Sequence, residues 1–148
     1  NLIRSVSSAP VLDLPALLDA AIFNFLIGNN DAHGKNFSLL YETAPHLEPR
    51  TQLAPFYDLL STEYYPDLSK KMAMKLGGEY LFAKVLPRHF ERLADEAGYS
   101  KPQVRRRVPD LAHAIVGRLD EVVDLVPNAK PIADFVRDRC DRTIRRFS

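Results

Sequence analysis

A chain of 148 residues, 46% hydrophobic and 26% charged, is long enough to bury one core without disulfide or metal staples, and this composition excludes the disordered and disulfide-rich classes. The net charge of +1 creates no global field, so bulk charge gives no argument for nucleic-acid or membrane binding. A single cysteine, Cys140, excludes an internal disulfide and favours a reducing compartment; neither a signal peptide nor an apolar run long enough to span a bilayer is expected.

The chain opens without Met in NLIRSVSSAP, which suggests a piece of something longer. Residues 1–12 are Ser-rich with an Ala-Pro pair and read as a short helix remnant or a linker leading to a turn. Asp13 is expected to cap the next helix, with Pro15 in its first turn. From Leu14, the residues Leu17, Leu18, Ala21, Ile22, Phe25 and Leu26 recur at threes and fours, which buries one helix face; Gly28 stops it, and Asn29 and Asn30 form the turn. Phe37–Tyr41 reads as a strand, Glu42–Arg50 as a turn and Thr51–Leu53 as the returning strand of a hairpin. Leu53–Thr62 carries Asp58 in an apolar setting, a proline-containing loop covers Tyr64–Asp67, and Lys71–Leu76 is expected to be irregular or briefly extended up to Gly77-Gly78.

From about Pro87 the chain is expected to be helical. Phe90, Leu93, Ala94 and Ala97 share a face that Gly98 ends; Ser100 then caps a helix with Pro102 in its first turn and an apolar stripe from Val104 to Val123. Pro109 should kink or split that helix. A last helix starts near Pro131 and runs through Phe135, Val136, Cys140, Ile144 and Phe147. No internal repeat appears, so residues 1–148 read as one domain of mainly α class.

The polar interruption between Phe23 and Tyr41, FNFLIGNNDAHGKNFSLLY, is a loop held between two apolar elements, where a rigid scaffold places reactive groups. Phosphoryl transfer needs a carboxylate for the nucleophile and oxygen ligands for magnesium. Protein kinases provide them as H-R-D-x-x-x-x-N with a later Asp. Asp31-Ala32-His33-Gly34-Lys35-Asn36 has the D-x-x-x-x-N spacing, and Asp58 follows the intervening hairpin. Asn29-Asn30 replaces His-Arg, and Leu59-Leu60 replaces Phe-Gly.

The run Leu26–Leu40, followed by Leu53–Thr62 and the block Met72–Gly78, closely resembles the HipA family, serine/threonine kinases that act as toxins of bacterial type II toxin–antitoxin modules. The resemblance is strong over residues 12–78 and looser beyond. It implies the helical C-terminal lobe of a kinase-like fold, with a small β-hairpin by the catalytic loop. It makes Asp31 the catalytic base and Asn36 with Asp58 the magnesium ligands. His33, Gly34 and Lys35 would lie along the phosphates of ATP, and Tyr57 would contact the nucleotide. A Gly-rich phosphate loop, a V-A-I-K-like strand and a hinge are not found in these residues, so the chain alone is expected to be inactive. Implied partners are a protein substrate with a serine or threonine acceptor and a DNA-binding antitoxin of HipB type, in a cytoplasmic setting without a membrane.

Other features have plainer readings. Met72 and Met74 read as core filling. His46, His89 and His113 have no metal-ligand spacing. Arg105-Arg106-Arg107 reads first as a solvated helix face. Because HipA-like toxins bind DNA-binding antitoxins, this run and Arg142, Arg145 and Arg146 are also candidate phosphate-backbone contacts within such a complex, the second group weakened by Asp138 and Asp141. Two rival functions remain open: a module that only holds an antitoxin or operator DNA, and a phosphohydrolase using Asp31, His33 and Asp58 around magnesium.

Overall fold

The computed structural model describes residues 2–46 and 48–148. Asn1 of the opening stretch and Leu47 of the expected turn lie outside the described residues.

Helix α1 (Leu2–Val6) leads into α2 (Pro10–Ile27), which begins earlier than the sequence predicts. Pro10 opens the helix, where a missing N–H removes no helical bond. Asp13 therefore does not cap. Its carboxylate, 8% exposed, accepts from the Ser7 hydroxyl at 2.6 Å and from the Leu53 N–H at 2.9 Å, tying the later hairpin to the helix. Pro15 accordingly lies inside α2 rather than in its first turn.

By length and composition α2 is apolar enough to cross a bilayer, at mean hydropathy 1.6, against the expectation that no run would be. Half of it is buried within the fold, where Leu18, Ile22, Phe25 and Leu26 join the core. It is a core helix placed centrally among the others, with α4 and α5 packed on it.

Strands β1 (Leu39–Glu42) and β2 (Arg50–Leu53) form the expected antiparallel hairpin, with Leu39 opposite Leu53 and Glu42 opposite Arg50. A second hairpin adds to the one the sequence predicts. Lys71–Leu76 is extended as expected and forms a strand, β3, paired with β4 (Glu79–Leu81). Gly77 and Gly78 turn the chain at φ 52° and 93°. A register shift between Lys71 and Leu76 breaks the alternation, so Met72 is buried while Met74 is 44% exposed and fills no core.

The helical remainder follows the sequence closely. Helix α3 (Pro87–Ala97) ends at Gly98, α4 spans Lys101–Leu125 and α5 spans Lys130–Phe147. Pro109 does not split α4. The carbonyl it leaves without a partner belongs to Arg105, an exposed residue, so water can take that bond. Helices α4 and α5, joined by a short connection, pack along each other, and Val104, Val108, Ala112, Val136 and Cys140 meet Phe90 and Ala94 of α3 in one core. Phe25 of α2 stands edge-on to Phe90 at 5.2 Å and beside Phe82 at 5.6 Å.

Candidate active site

The site begins where α2 ends. A helix C-terminus leaves its last carbonyls without helical partners, and all of these point into the fold here. Phe25 O and Leu26 O accept from the Arg139 guanidinium of α5 at 2.6 and 3.2 Å, Ile27 O from the Ser61 hydroxyl at 2.6 Å and Gly28 O from the Glu63 N–H at 2.9 Å. A cation at this end also suits the helix dipole. Gly28 takes φ 77°, and a Cβ there would meet Phe135, Arg139 and Glu63 at 3.1–3.3 Å. Burial pushes the Arg139 guanidinium below its ordinary pKa, and Glu63, its ion-pair partner, opposes that shift.

The chain leaving Gly28 is held by its asparagines. Asn29, 4% exposed, donates its amide to Asn24 Oδ1 at 2.8 Å and to the Asp58 carbonyl at 2.9 Å, and its Oδ1 accepts the Asp31 N–H at 3.1 Å. Asn30, 6% exposed, donates its N–H to the Thr62 hydroxyl at 2.7 Å and its amide to the Ser69 carbonyl; its own carbonyl receives the Ala73 N–H of β3 at 2.7 Å. The loop is thus fixed from α2, from the segment after Asp58 and from the second hairpin.

Beyond Asp31, which is exposed, residues Gly34–Asn36 make a single 3-10 turn. The His33 N–H donates to Asn36 Oδ1 and the Asn36 N–H to the His33 carbonyl, both at 2.9 Å. The Asn36 amide then donates to Asp58 Oδ2 at 2.5 Å. Asp58 stands in the left-handed region at φ 58°. Beside it, the Tyr57 hydroxyl donates to the Lys35 carbonyl at 2.6 Å and lies 2.9 Å from Ser38 Oγ, so it braces the turn.

The structure therefore brings Asn36, Asp58 and Tyr57 together at the turn that carries His33, Gly34 and Lys35, with Asp31 at its entrance. Asp58 offers a carboxylate, and Asn36 Oδ1 keeps a second lone pair beside the His33 bond. Two hard oxygen donors with open space for waters and phosphate suit magnesium, which takes few protein ligands. Lys35 and Gly34 are exposed, and a Cβ on Gly34 would meet nothing within 4 Å, so room for a ligand exists along this edge. An open apolar groove of about 640 Å³, lined by Leu2, Leu17, Phe37, Leu39, Leu53 and Met74, runs beside Gly34. Among the described residues no group of three or more His, Cys, Asp or Glu side chains could hold a metal, so Asp31, His33 and Asp58 are not gathered as one three-ligand cluster.

The residues that sequence reasoning missed are those holding the loop: Asn24, Asn29, Ser61, Glu63 and Arg139. A polar residue inside an apolar stripe was the available signal, as in Phe23-Asn24-Phe25 and at Arg139 between Val136 and Cys140. The arginine patches are largely engaged within the chain. Arg105 pairs with Glu91 at 3.2 Å, Arg107 grips Asp19 of α2 through two bonds of 2.7 and 2.6 Å, Arg142 pairs with Asp138 at 2.9 Å, and Arg146 donates to the Val85 and Ala83 carbonyls.

Comparison with known proteins identifies the family. A family model described as HipA-like C-terminal domain matches residues 1–119. The kinase-designated protein Y4mE of Sinorhizobium fredii is 45% identical over 139 residues, covering 91% of this chain and 32% of that protein. The serine/threonine-protein kinase toxin HipA of Shewanella oneidensis is 30% identical over 118 residues, 80% of this chain and 26% of the relative. A solved structure of the Shewanella oneidensis toxin–antitoxin system HipA, HipB and its operator DNA matches with a TM-score of 0.80 at 25% identity, over 93% of this chain and 33% of that one. The chain thus spans about a third or less of the length of these relatives. With the family model matched across both hairpins, α3 and most of α4, the chain belongs to the HipA-like C-terminal domain family.

Proposed function

We propose that this chain carries the proton-accepting and magnesium-holding half of a serine/threonine protein kinase site in a HipA-like toxin. The observation that carries the reading is the meeting of Asn36 with Asp58 at 2.5 Å on the turn that Asp31 opens. Asp31 is exposed, so its carboxylate is open to a serine or threonine hydroxyl of a protein substrate and takes the hydroxyl proton. The hydroxyl oxygen bonds to the γ-phosphorus of ATP while the bond to the bridging oxygen breaks and ADP leaves. Asn36 and Asp58 would hold magnesium, which when bound would supply positive charge against the phosphates. Lys35 adds positive charge along the same edge, and Tyr57 keeps the turn in place through Lys35.

A DNA-binding antitoxin of HipB type is the partner we assign, supported by the HipA–HipB–DNA composition of the structural neighbour, with cytoplasmic placement following from such a partner. The 148 residues by themselves hold the metal side of the nucleotide, and we propose that they do not transfer phosphate alone. Asp31→Gln in the product of the complete reading frame tests the reading. Loss of phosphotransfer with antitoxin binding retained supports it. Unchanged function favours a binding module, and phosphate release without a protein acceptor favours a hydrolase.

A further inference from the structure

Asn29 occupies the position where the protein-kinase pattern has histidine, and the chemistry proposed above gives it no task. We infer that Asn29 is a positioning residue that sets the Asp31 loop against the Asp58 segment, through one planar amide bonded to the backbone of both. What that placement accomplishes rests on the kinase reading; the placement itself does not.

The amide has no freedom to turn over. The Asp31 backbone N–H can only donate, and the Asp58 carbonyl can only accept. The first therefore faces Asn29 Oδ1 at 3.1 Å and the second faces Nδ2 at 2.9 Å. The remaining Nδ2 proton goes to Asn24 Oδ1 at 2.8 Å, and Asn24 is itself oriented by donating to the Ala20 carbonyl of α2 at 2.9 Å. The Asn29 N–H adds a bond to the Asn24 carbonyl at 2.9 Å. Asn24 and Asn29 are 6% and 4% exposed, so water does not replace these partners.

The rigid end of this chain of bonds is the core helix α2, and the other end is the two segments that carry carboxylates. Asp58 holds φ 58°, a conformation that non-glycine residues keep only when their surroundings impose it. The bond from Asn29 fixes the direction of its carbonyl. A single sp² group of fixed width thereby sets the separation of the Asp31 N–H and the Asp58 carbonyl. Two separate side chains could drift apart where this group cannot.

The test uses the product of the complete reading frame and three variants. Asn29→Ala removes both links. Asn29→Asp keeps the acceptor for the Asp31 N–H and loses both donated bonds at equal volume. Thr143→Val removes a buried hydroxyl of α5 whose bond goes to the Arg139 carbonyl, and serves as a control of similar burial. Hydrogen exchange at the Asp31 amide should accelerate at least about tenfold in Asn29→Ala but not in Asn29→Asp or Thr143→Val. The Asn30 amide, held by Thr62, should stay protected in all three. Per folded molecule, both Asn29 variants should lose about 10- to 100-fold in kcat for transfer of labelled γ-phosphate to protein, with KM for ATP within about twofold of the parent. Mn²⁺ affinity, read by electron paramagnetic resonance with a non-hydrolysable ATP analogue, should weaken in both because Asp58 is released. Thr143→Val should match the parent in kcat and Mn²⁺ affinity. Unchanged Asp31 exchange in Asn29→Ala overturns the inference, as does parental kcat and Mn²⁺ affinity in both Asn29 variants. If the parent transfers no phosphate, the kinase reading fails and the exchange measurement alone decides Asn29. If Asn29→Ala does not fold, the kcat and Mn²⁺ affinity of Asn29→Asp decide it.

Discussion

Arg139 on α5 and Glu63, shortly after Asp58, form a largely buried ion pair at 8% and 19% side-chain exposure, joining α5 to the segment that follows Asp58. The guanidinium stacks over Phe82 at 4.3 Å and also holds the Phe25 and Leu26 carbonyls. Desolvating two charges offsets much of their attraction, so the pair contributes little net stability while intact. It does make α5, the end of α2 and the segment after Asp58 interdependent.

Breaking one side of this pair should be costly. Arg139→Met strands the Glu63 carboxylate and two helix carbonyls, and should lower unfolding free energy by about 3–5 kcal/mol. Arg139→Met with Glu63→Leu removes the stranded charge and should recover a large part of the loss. Urea unfolding of the single and double variants checks this; equal stabilities for the two would refute the interdependence.

Function and stability should pull apart at Asp58. Its φ of 58° suits glycine, so Asp58→Gly relieves backbone strain and sacrifices one exposed hydrogen bond to Asn36. Unfolding free energy should stay level or rise by up to about 1 kcal/mol. Under the proposed function, magnesium-dependent phosphotransfer should disappear in the same variant. A clear fall in the denaturation midpoint would mean that the carboxylate serves the fold instead.

Gly77 is held by sterics. A Cβ there would lie 1.9 Å from the His89 carbonyl oxygen, and the backbone is at φ 52°. Gly77→Ala should therefore push β3–β4 away from the start of α3 and cost at least about 1–3 kcal/mol. Gly34→Ala, with open space around its Cβ position, should leave stability within about 0.5 kcal/mol. Thermal unfolding of the two variants side by side separates these cases.

What the sequence disclosed, and what it hid, follows from the range of each interaction. Helix α2 and the three C-terminal helices carry a full apolar period with glycine or proline at their ends, so Gly28, Gly98, Pro87 and Pro102 mark them locally. Asp13 misled because a cap and a buried acceptor look alike until the Leu53 N–H arrives from the hairpin. Strand β4 spans only Glu79–Leu81, too short for alternation to register. The Asp31 to Asn36 spacing was legible, and the resemblance singled out Asp58. The bond from the Asn29 amide to Asp58 and those of the Arg139 guanidinium reach residues distant in sequence, and such pairings leave no periodic trace.

Cys140 gives the pH-dependent prediction. It is fully buried on the core face of α5, and burial pushes its thiol up to about 12, with Arg139 opposing only part of the shift. The folded state thus keeps the thiol neutral where the unfolded chain ionises it, near pH 8.5. Its contribution to stability is complete below about pH 8.5 and falls as pH rises toward about 12, because only the unfolded chain releases the proton. Between about pH 8.5 and 10 the parent should lose more stability than Cys140→Val, which lacks the titrating group. Iodoacetamide at pH 8 should label denatured protein readily and native protein only at the rate of unfolding. Stoichiometric labelling of the native protein on mixing would place the thiol at the surface and overturn the packing of α5 against α4.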